Sequence, residues 1–330
     1  MIRSVSVIAA ISAVDESYAM PLAGMVQSVL DACPAGVEVT LYILDGGVLA
    51  STREKLQGGW RDRRLRVTWL QPDLSSIGDL AISNHVSRAT YLRLLMDTVL
   101  PEGISRLVYL DADVLVRRDL SVLWGEPLHG NVVLAVQDAG APVMDAVAAL
   151  PSYERCKEFL ISDLPVPNYR DLGLAADRKY FNAGVMLIDL EAWREREIGR
   201  NCLALLREQR DHAQWWDQYA MNVVLDGCWG ELDPRWNQGA RIYAYPSWDR
   251  SPFDEETYRK LQDDPWIVHF SAHIKPWHYQ SDHPYTAAFR AKLRHTAWAD
   301  WKPSPLDNWA KPETWRQTLA TMWRGGVSGG

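Results

Sequence analysis

The run Leu107-Val108-Tyr109-Leu110-Asp111-Ala112-Asp113-Val114-Leu115-Val116 constrains this chain more than any other. It reads as an apolar strand that ends in two carboxylates, one residue apart. Side chains alternate faces along a strand, so residues i and i+2 point the same way. On that reading Asp111 and Asp113 converge on one hard cation at the strand's C-terminal end, where open α/β sheets bind ligands. Two carboxylates this close repel each other, and a metal ion relieves the repulsion.

The surrounding pattern alternates strand and helix. Residues 5–11, 37–44 and 65–70 read as strands, and the second of these ends in the turn Asp45-Gly46-Gly47. Residues 18–33 read as a helix with Pro21 in its first turn, and a short helix covers 49–56. Residues 85–99 carry Tyr91, Leu94, Leu95 and Val99 at helical spacing, and Pro101 and Gly103 stop them. This alternation predicts a parallel sheet with right-handed crossovers, a Rossmann-like half. The second half is more mixed, with strands at 132–136, 183–188 and 266–270 and helices at 190–210 and 216–225. A length of 330 residues suits one large α/β domain or two smaller ones.

A hydrophobic fraction of 47% excludes global disorder, and a net charge of −7 argues against a nucleic-acid binder. Cys33, Cys156, Cys202 and Cys228 are scattered, which fits reduced thiols in a cytoplasmic protein rather than a zinc site or a disulfide framework. No apolar run approaches the ~18 residues of a membrane span. The start, with Ser4, Ser6 and Ser12 leading into Asp15-Glu16, reads as a first strand and not as a signal peptide. From residue 286 the chain becomes basic, with Arg290, Lys292, Arg294, Lys302, Lys311, Arg316 and Arg324 among Trp298, Trp301, Trp309, Trp315 and Trp323. Two readings compete for this tail: attachment to the anionic inner face of a membrane, or a helical lid packed by its tryptophans. The Gly-rich last six residues are expected to be disordered.

Four readings compete for the carboxylate pair. One is a strand end with two solvated aspartates. The second is a phosphatase of the haloacid dehalogenase type, with Asp111 as nucleophile and Asp113 as acid. That family places its motif near the chain start and adds a later acidic G-D-x-x-x-D, and neither is found here. The third is a nucleotide-sugar glycosyltransferase, whose D-x-D holds a divalent metal on the donor's pyrophosphate. The fourth is a nucleotidyltransferase, but the segment 9–15 lacks glycine for its phosphate loop.

Further blocks separate these readings. Ala13-Val14-Asp15-Glu16-Ser17-Tyr18, Thr90-Tyr91-Leu92-Arg93, the D-x-D run, Tyr180 to Asp189 (YFNAGVMLID), Asp217-Gln218 and His269 to Trp277 (HFSAHIKPW) stand in order along the chain. Together they resemble glycosyltransferase family 8, and in particular its bacterial lipopolysaccharide hexosyltransferases. The resemblance implies a GT-A type, Rossmann-like single α/β domain with a mixed, mainly parallel central sheet. That domain would occupy 1–285, with the nucleotide-binding half at about 1–120, and 286–330 would form a C-terminal helical tail. It implies Asp111, Asp113 and His269 as ligands of Mn²⁺, with Mg²⁺ as the alternative. Lys275 and Ala272 would lie at the diphosphate, and Asp15 and Ser17 at the uracil and ribose. Arg93, Asp138, Asn182, Asp217 and Gln218 would bind the donor sugar, and Gln218 and Asp217 would serve the catalytic step.

The implied activity is retaining transfer of galactose or glucose from a UDP-sugar to a glycan or glycolipid. Two departures from the family pattern stand out. Ala272 replaces the usual glycine, where an added Cβ crowds a phosphate. Trp216 stands where a smaller polar residue is frequent. A nucleotide-sugar-binding protein with little catalysis, or a phosphatase, remain the alternatives.

Overall fold

The computed structural model describes residues 6–80 and 88–305. Ten strands follow in chain order: β1 (Ser6–Val14), β2 (Val37–Asp45), β3 (Leu65–Leu70), β4 (Arg106–Leu110), β5 (Val114–Val116), β6 (Val133–Gln137), β7 (Phe181–Asp189), β8 (Trp229–Glu231), β9 (Gln238–Gly239) and β10 (Ile267–His269). Seven form one sheet in the order β3-β2-β1-β4-β7-β6-β8, and the other three form a small sheet, β5-β10-β9. β3, β2, β1 and β4 run parallel. β7 is antiparallel to both of its neighbours, β4 and β6, and β8 is parallel to β6. One reversed strand in seven gives the expected mixed, mainly parallel α/β sheet.

Both faces of the large sheet are buried, as a parallel sheet requires. Alternate residues of β4 divide between the two faces. Leu107 and Tyr109 join Ile11, Met186, Ile188 and Trp193 in one core, while Val108 and Leu110 join Ile8, Val14, Val185 and the helix Ala19–Ala32 in the other. The chain runs outward from β1 to β3, then returns to place β4 on the other side of β1. A crevice therefore opens beyond the C-terminal ends of β1 and β4, where the strand order reverses. Asp15 follows β1 directly, and Asp111 follows β4 directly.

The structure corrects three local expectations. Asp111, Ala112 and Asp113 do not continue a strand; they form a turn that carries the chain from β4 in the large sheet to β5 in the small one. The stretch read as one helix over 85–99 is a 3-10 helix at Arg88–Leu95 followed by a short α-helix at Met96–Val99, and 81–87 lie outside the described residues. Tyr91, Leu92, Arg93, Leu94 and Leu95 are all buried, so packing on every side overrides a one-faced helical stripe. The helix read over 190–210 is two helices, Leu190–Glu195 and Ile198–Glu208, because Glu197 adopts φ 51°. The break lets Gly199 approach the 3-10 segment so closely that a Cβ there would lie 2.1 Å from the Leu94 carbonyl oxygen.

Beyond 285, the helix Thr286–Leu293 drops Phe289 and Leu293 into a cluster with Leu115, Val268 and Phe270. It lies against the helix Ala19–Ala32, where Gly24 leaves room for the Phe289 ring. Residues 306–330, with Trp309, Trp315, Trp323 and the Gly-rich end, lie outside the described residues. No described helix is long and apolar enough to cross a membrane.

Candidate functional site

Register brings the metal-binding candidates together. β10 pairs antiparallel with β5, and His269 stands opposite Val114. The Phe270 N–H extends that pairing by donating to the Asp113 carbonyl at 3.0 Å. His269 is thereby carried to the D-x-D turn from 156 residues downstream of Asp113. Its Nε2 lies 3.4 Å from Asp113 Oδ1 and 3.7 Å from Asp111 Oδ2. One ligand atom from each of the three side chains falls within 4.8 Å of the others. Two carboxylates and an imidazole form a donor set that suits a divalent transition ion.

Two further features fit this cluster to a metal. A Cβ on Gly184 would lie 2.2 Å from His269 Cε1 and 2.9 Å from Asp111 Oδ2, so only glycine leaves the ligands room to converge. Behind the imidazole, Nδ1 is 3.0 Å from Asn237 Oδ1. The Asn237 amide nitrogen donates to the Asn182 carbonyl and to Asn182 Oδ1, which fixes its oxygen towards His269. That oxygen holds the proton on Nδ1 and leaves the Nε2 lone pair facing the carboxylates, the tautomer a metal needs.

The cations here are mostly spoken for. Lys275 Nζ donates to Asp113 Oδ2 at 2.7 Å and to the Phe270 carbonyl at 2.6 Å. Burial works to lower the lysine pKa, but the Asp113 charge outweighs it and the net shift is upward. Asp113 is held well below the usual carboxylate range: burial opposes this, and the Lys275 ammonium beside it more than offsets it. Arg93 is 7% exposed, stacks over Tyr109, and bridges Asp111 Oδ1 at 3.1 Å and Asp217 Oδ2 at 2.8 Å. It also donates to the Ala183 carbonyl at 2.7 Å, while Tyr109 donates to Asp111 and Thr90 to Asp217. Burial raises the Asp217 pKa, against the pull of Arg93.

A polar relay leads away from the metal candidates. Asn182 Nδ2 donates to Asp138 Oδ2 at 2.8 Å, and Gln218 Nε2 donates to the same oxygen at 3.2 Å. Gln218 Oε1 accepts from the Ala183 N–H, and Asp138 Oδ1 accepts from the Gly140 and Ala141 N–H groups. Trp216 adopts φ 49° and turns the chain into the helix Trp216–Val224, so that Asp217 and Gln218 open it on the cavity.

Two cavities meet at the carboxylates. One is walled by Ala13, Val14, Asp15 and Tyr18. The other is walled by Asp138, Asn182, Gln218, His269 and Lys275. Thr90, Arg93, Asp111 and Asp113 belong to both. Asp15 Oδ1 caps the turn Glu16–Tyr18 by accepting from the Ser17 and Tyr18 N–H groups and from the Ser17 hydroxyl. Tyr18 is pushed up to about 12, chiefly by burial, and Trp277 packs on it edge to face.

Ten of the twelve residues singled out in the sequence therefore wall these two cavities. Ser17 lies just outside, bonded to Asp15. Ala272 is exposed on the bend between His269 and Lys275, where the cavity wall is Ser271 and Lys275. Asn237 and Thr90 were missed as site residues. An asparagine after an apolar Trp236 carries no signal by itself, whereas Thr90 stood inside a recognisable block.

A model of glycosyl transferase family 8 matches residues 10–281. General stress protein A of Bacillus subtilis (strain 168) is 31% identical over 291 residues, 87% of this chain and 93% of that protein. Lipopolysaccharide 1,2-glucosyltransferase of Escherichia coli (strain K12) is 29% identical over 73% of this chain and 64% of that protein. Among solved structures, the galactosyltransferase LgtC in complex with donor and acceptor sugar analogues superposes with a TM-score of 0.72 at 24% identity, covering 94% of this chain and 99% of that one. That likeness is one of fold, and the match over 272 residues leaves the phosphatase and nucleotidyltransferase readings without support. The chain belongs to glycosyl transferase family 8.

Proposed function

We propose that this protein is a metal-dependent, retaining hexosyltransferase that moves galactose or glucose from a UDP-sugar to a glycan or glycolipid. The observation that carries the reading is the convergence of Asp111, Asp113 and His269 on the wall shared by two cavities. Each cavity then takes one half of the donor, the nucleoside beside Asp15 and the hexose beside Asp138, Asn182 and Gln218. Mn²⁺, or Mg²⁺ in its place, held by these three residues would supply Lewis-acid neutralisation of charge on the leaving diphosphate.

The chain's own groups do the rest. Among the described residues Asp15 Oδ2 makes no hydrogen bond, so it can accept from the uracil imide N–H. Lys275 offers a point charge to the diphosphate. Asp217, fixed by Arg93 and Thr90, holds that arginine at the sugar. The C1–oxygen bond to the diphosphate breaks, an acceptor hydroxyl bonds to C1, and its proton passes to the departing phosphate oxygen. Gln218 carries an amide, a poor nucleophile, which favours this same-face route over a covalent intermediate. Its oxygen stabilises the positive charge that develops at C1.

In domain terms, 1–285 carries the transferase and 286–330 a basic, aromatic extension. Arg290, Arg294, Lys302, Trp298 and Trp301 line one cavity there, which supports peripheral contact with an anionic membrane on its cytoplasmic side.

Incubation with Mn²⁺ and a panel of UDP-sugars tests the reading. UDP release with a retained anomeric centre in the product is expected, and Asp113→Ala should abolish it. UDP binding without release in the presence of any acceptor would make the protein a binding module. No UDP binding would end the proposal.

A further inference from the structure

Among the described residues, one cation in the sugar-side cavity has no carboxylate within ion-pair distance. Arg93 is bound to Asp111 and Asp217, and Lys275 to Asp113. Arg241, from the 3-10 helix Ala240–Ala244, lines the same cavity, yet among the described residues no carboxylate lies within 4 Å of it. Its Nε donates to the Phe159 carbonyl and its Nη2 to the Leu160 carbonyl. A guanidinium has five N–H donors, so three remain free to form a fork. The nearby acid of this wall, Asp138, is already saturated by Gly140, Ala141, Asn182 and Gln218.

The placement says which substrate Arg241 meets. Ile161 donates its N–H to the Gly140 carbonyl, which ties the 159–161 segment to the Asp138 turn at the hexose end of the relay. Ile161 is 52% exposed, so this segment forms the outer lip of the cavity. Trp215 and Trp216, packed edge to face, share that cavity. On the hexosyltransferase reading, the lip beyond the donor hexose is where an acceptor would enter.

We infer that Arg241 selects an acceptor sugar carrying an anionic group, a carboxylate or a phosphate. The inference rests on the hexosyltransferase reading above. An anion there accepts two parallel N–H bonds from the guanidinium, which among the described residues has no carboxylate within 4 Å. A neutral sugar leaves the charge without a partner.

Calorimetric titration of the full chain loaded with Mn²⁺ and UDP tests this, because UDP fills the diphosphate region. Glucose, glucuronate and glucose 6-phosphate are the probes, and the last two separate carboxylate from phosphate. At least one acid should bind about tenfold or more tightly than glucose, the worth of a charged hydrogen-bond pair. Arg241→Gln should erase the difference, Arg241→Glu should make glucose the better ligand, and Arg241→Lys should keep part of it. Because Arg241 also secures two carbonyls, Arg241→Lys is the variant read if the others fail to fold.

Equal binding of all three probes, or a preference that survives Arg241→Gln, overturns the inference. UDP-glucuronate outcompeting UDP-glucose through Arg241 would move the residue to the donor and also overturn it. Failure of UDP to bind at all would instead strike the hexosyltransferase reading.

Discussion

Gly184 shows how little separates a metal site from a blocked one. A single methyl group there meets both the imidazole of His269 and a carboxylate oxygen of Asp111, and neither can retreat, since Asn237 holds one and Arg93 with Tyr109 the other. Gly184→Ala should therefore keep the fold but weaken Mn²⁺ binding by about 10–100-fold, measured by isothermal titration. Unchanged affinity would mean that the ligands do not need this gap. Asn237→Ala tests the proton on His269 Nδ1. Loss of the Asn237 oxygen frees the ring and its tautomer, and a drop of similar size in Mn²⁺ affinity is expected. Intact affinity with lowered turnover would instead place Asn237's importance on Asn182, its other partner. The aspartates, His269 and Lys275 were legible in the sequence because their side chains carry the chemistry. The work of Gly184 and Asn237 is geometric: each acts on partners tens of residues away in sequence that only the fold brings near.

The longer strands were legible, the short β8 and β9 were not, and the connecting segments were less so, for a physical reason. Apolar runs report burial, and β1, β2 and β4 are largely buried whatever their neighbours. Arg88–Leu95 is buried too, but its 3-10 form answers to what surrounds it, including the backbone of Gly199. The D-x-D turn escaped notice because Val114–Val116 is apolar and looks like more of the same strand, although it pairs with β10 in a different sheet. The segment after β10 holds a pH-dependent element. His283 packs against Phe270, Tyr243 and Tyr285, its Nδ1 accepts from the Tyr285 N–H, and its Nε2 is buried without a hydrogen-bond partner among the described residues. Burial pushes its pKa down to about 4 from 6.5, with Asp282 opposing. The unfolded chain takes up this proton first, so the stability contribution is complete above pH 6.5 and is lost as pH falls through about 4. Denaturant midpoints at pH 7.5 and 5 should differ more for the wild type than for His283→Gln. Equal differences would show that His283 is not the group titrating.

At the scale of the whole molecule, the order β3-β2-β1-β4 locates the crevice, and the long return to β10 completes the site at it. The same return delivers the helix Thr286–Leu293 to the back of the helix Ala19–Ala32, with Phe289 fully buried. A chain cut at Tyr285 would strip Phe289 and Leu293 from that core, at about 3–5 kcal/mol for the phenylalanine alone. Truncation there would confuse loss of folding with loss of membrane contact, so point changes at the surface are the cleaner probe. Arg294 and Lys302 are exposed beside Trp298 and Trp301 in the cavity at this end. Each cation near an anionic bilayer contributes about 1 kcal/mol. Arg294→Gln with Lys302→Gln should then lower partitioning onto phosphatidylglycerol-containing vesicles by about 30-fold in a flotation assay at low salt, and should leave phosphatidylcholine vesicles unaffected. Neither change touches Phe289 or the crevice, so UDP binding should persist. If the double variant floats with anionic vesicles as well as the wild type does, this cavity is not the membrane contact.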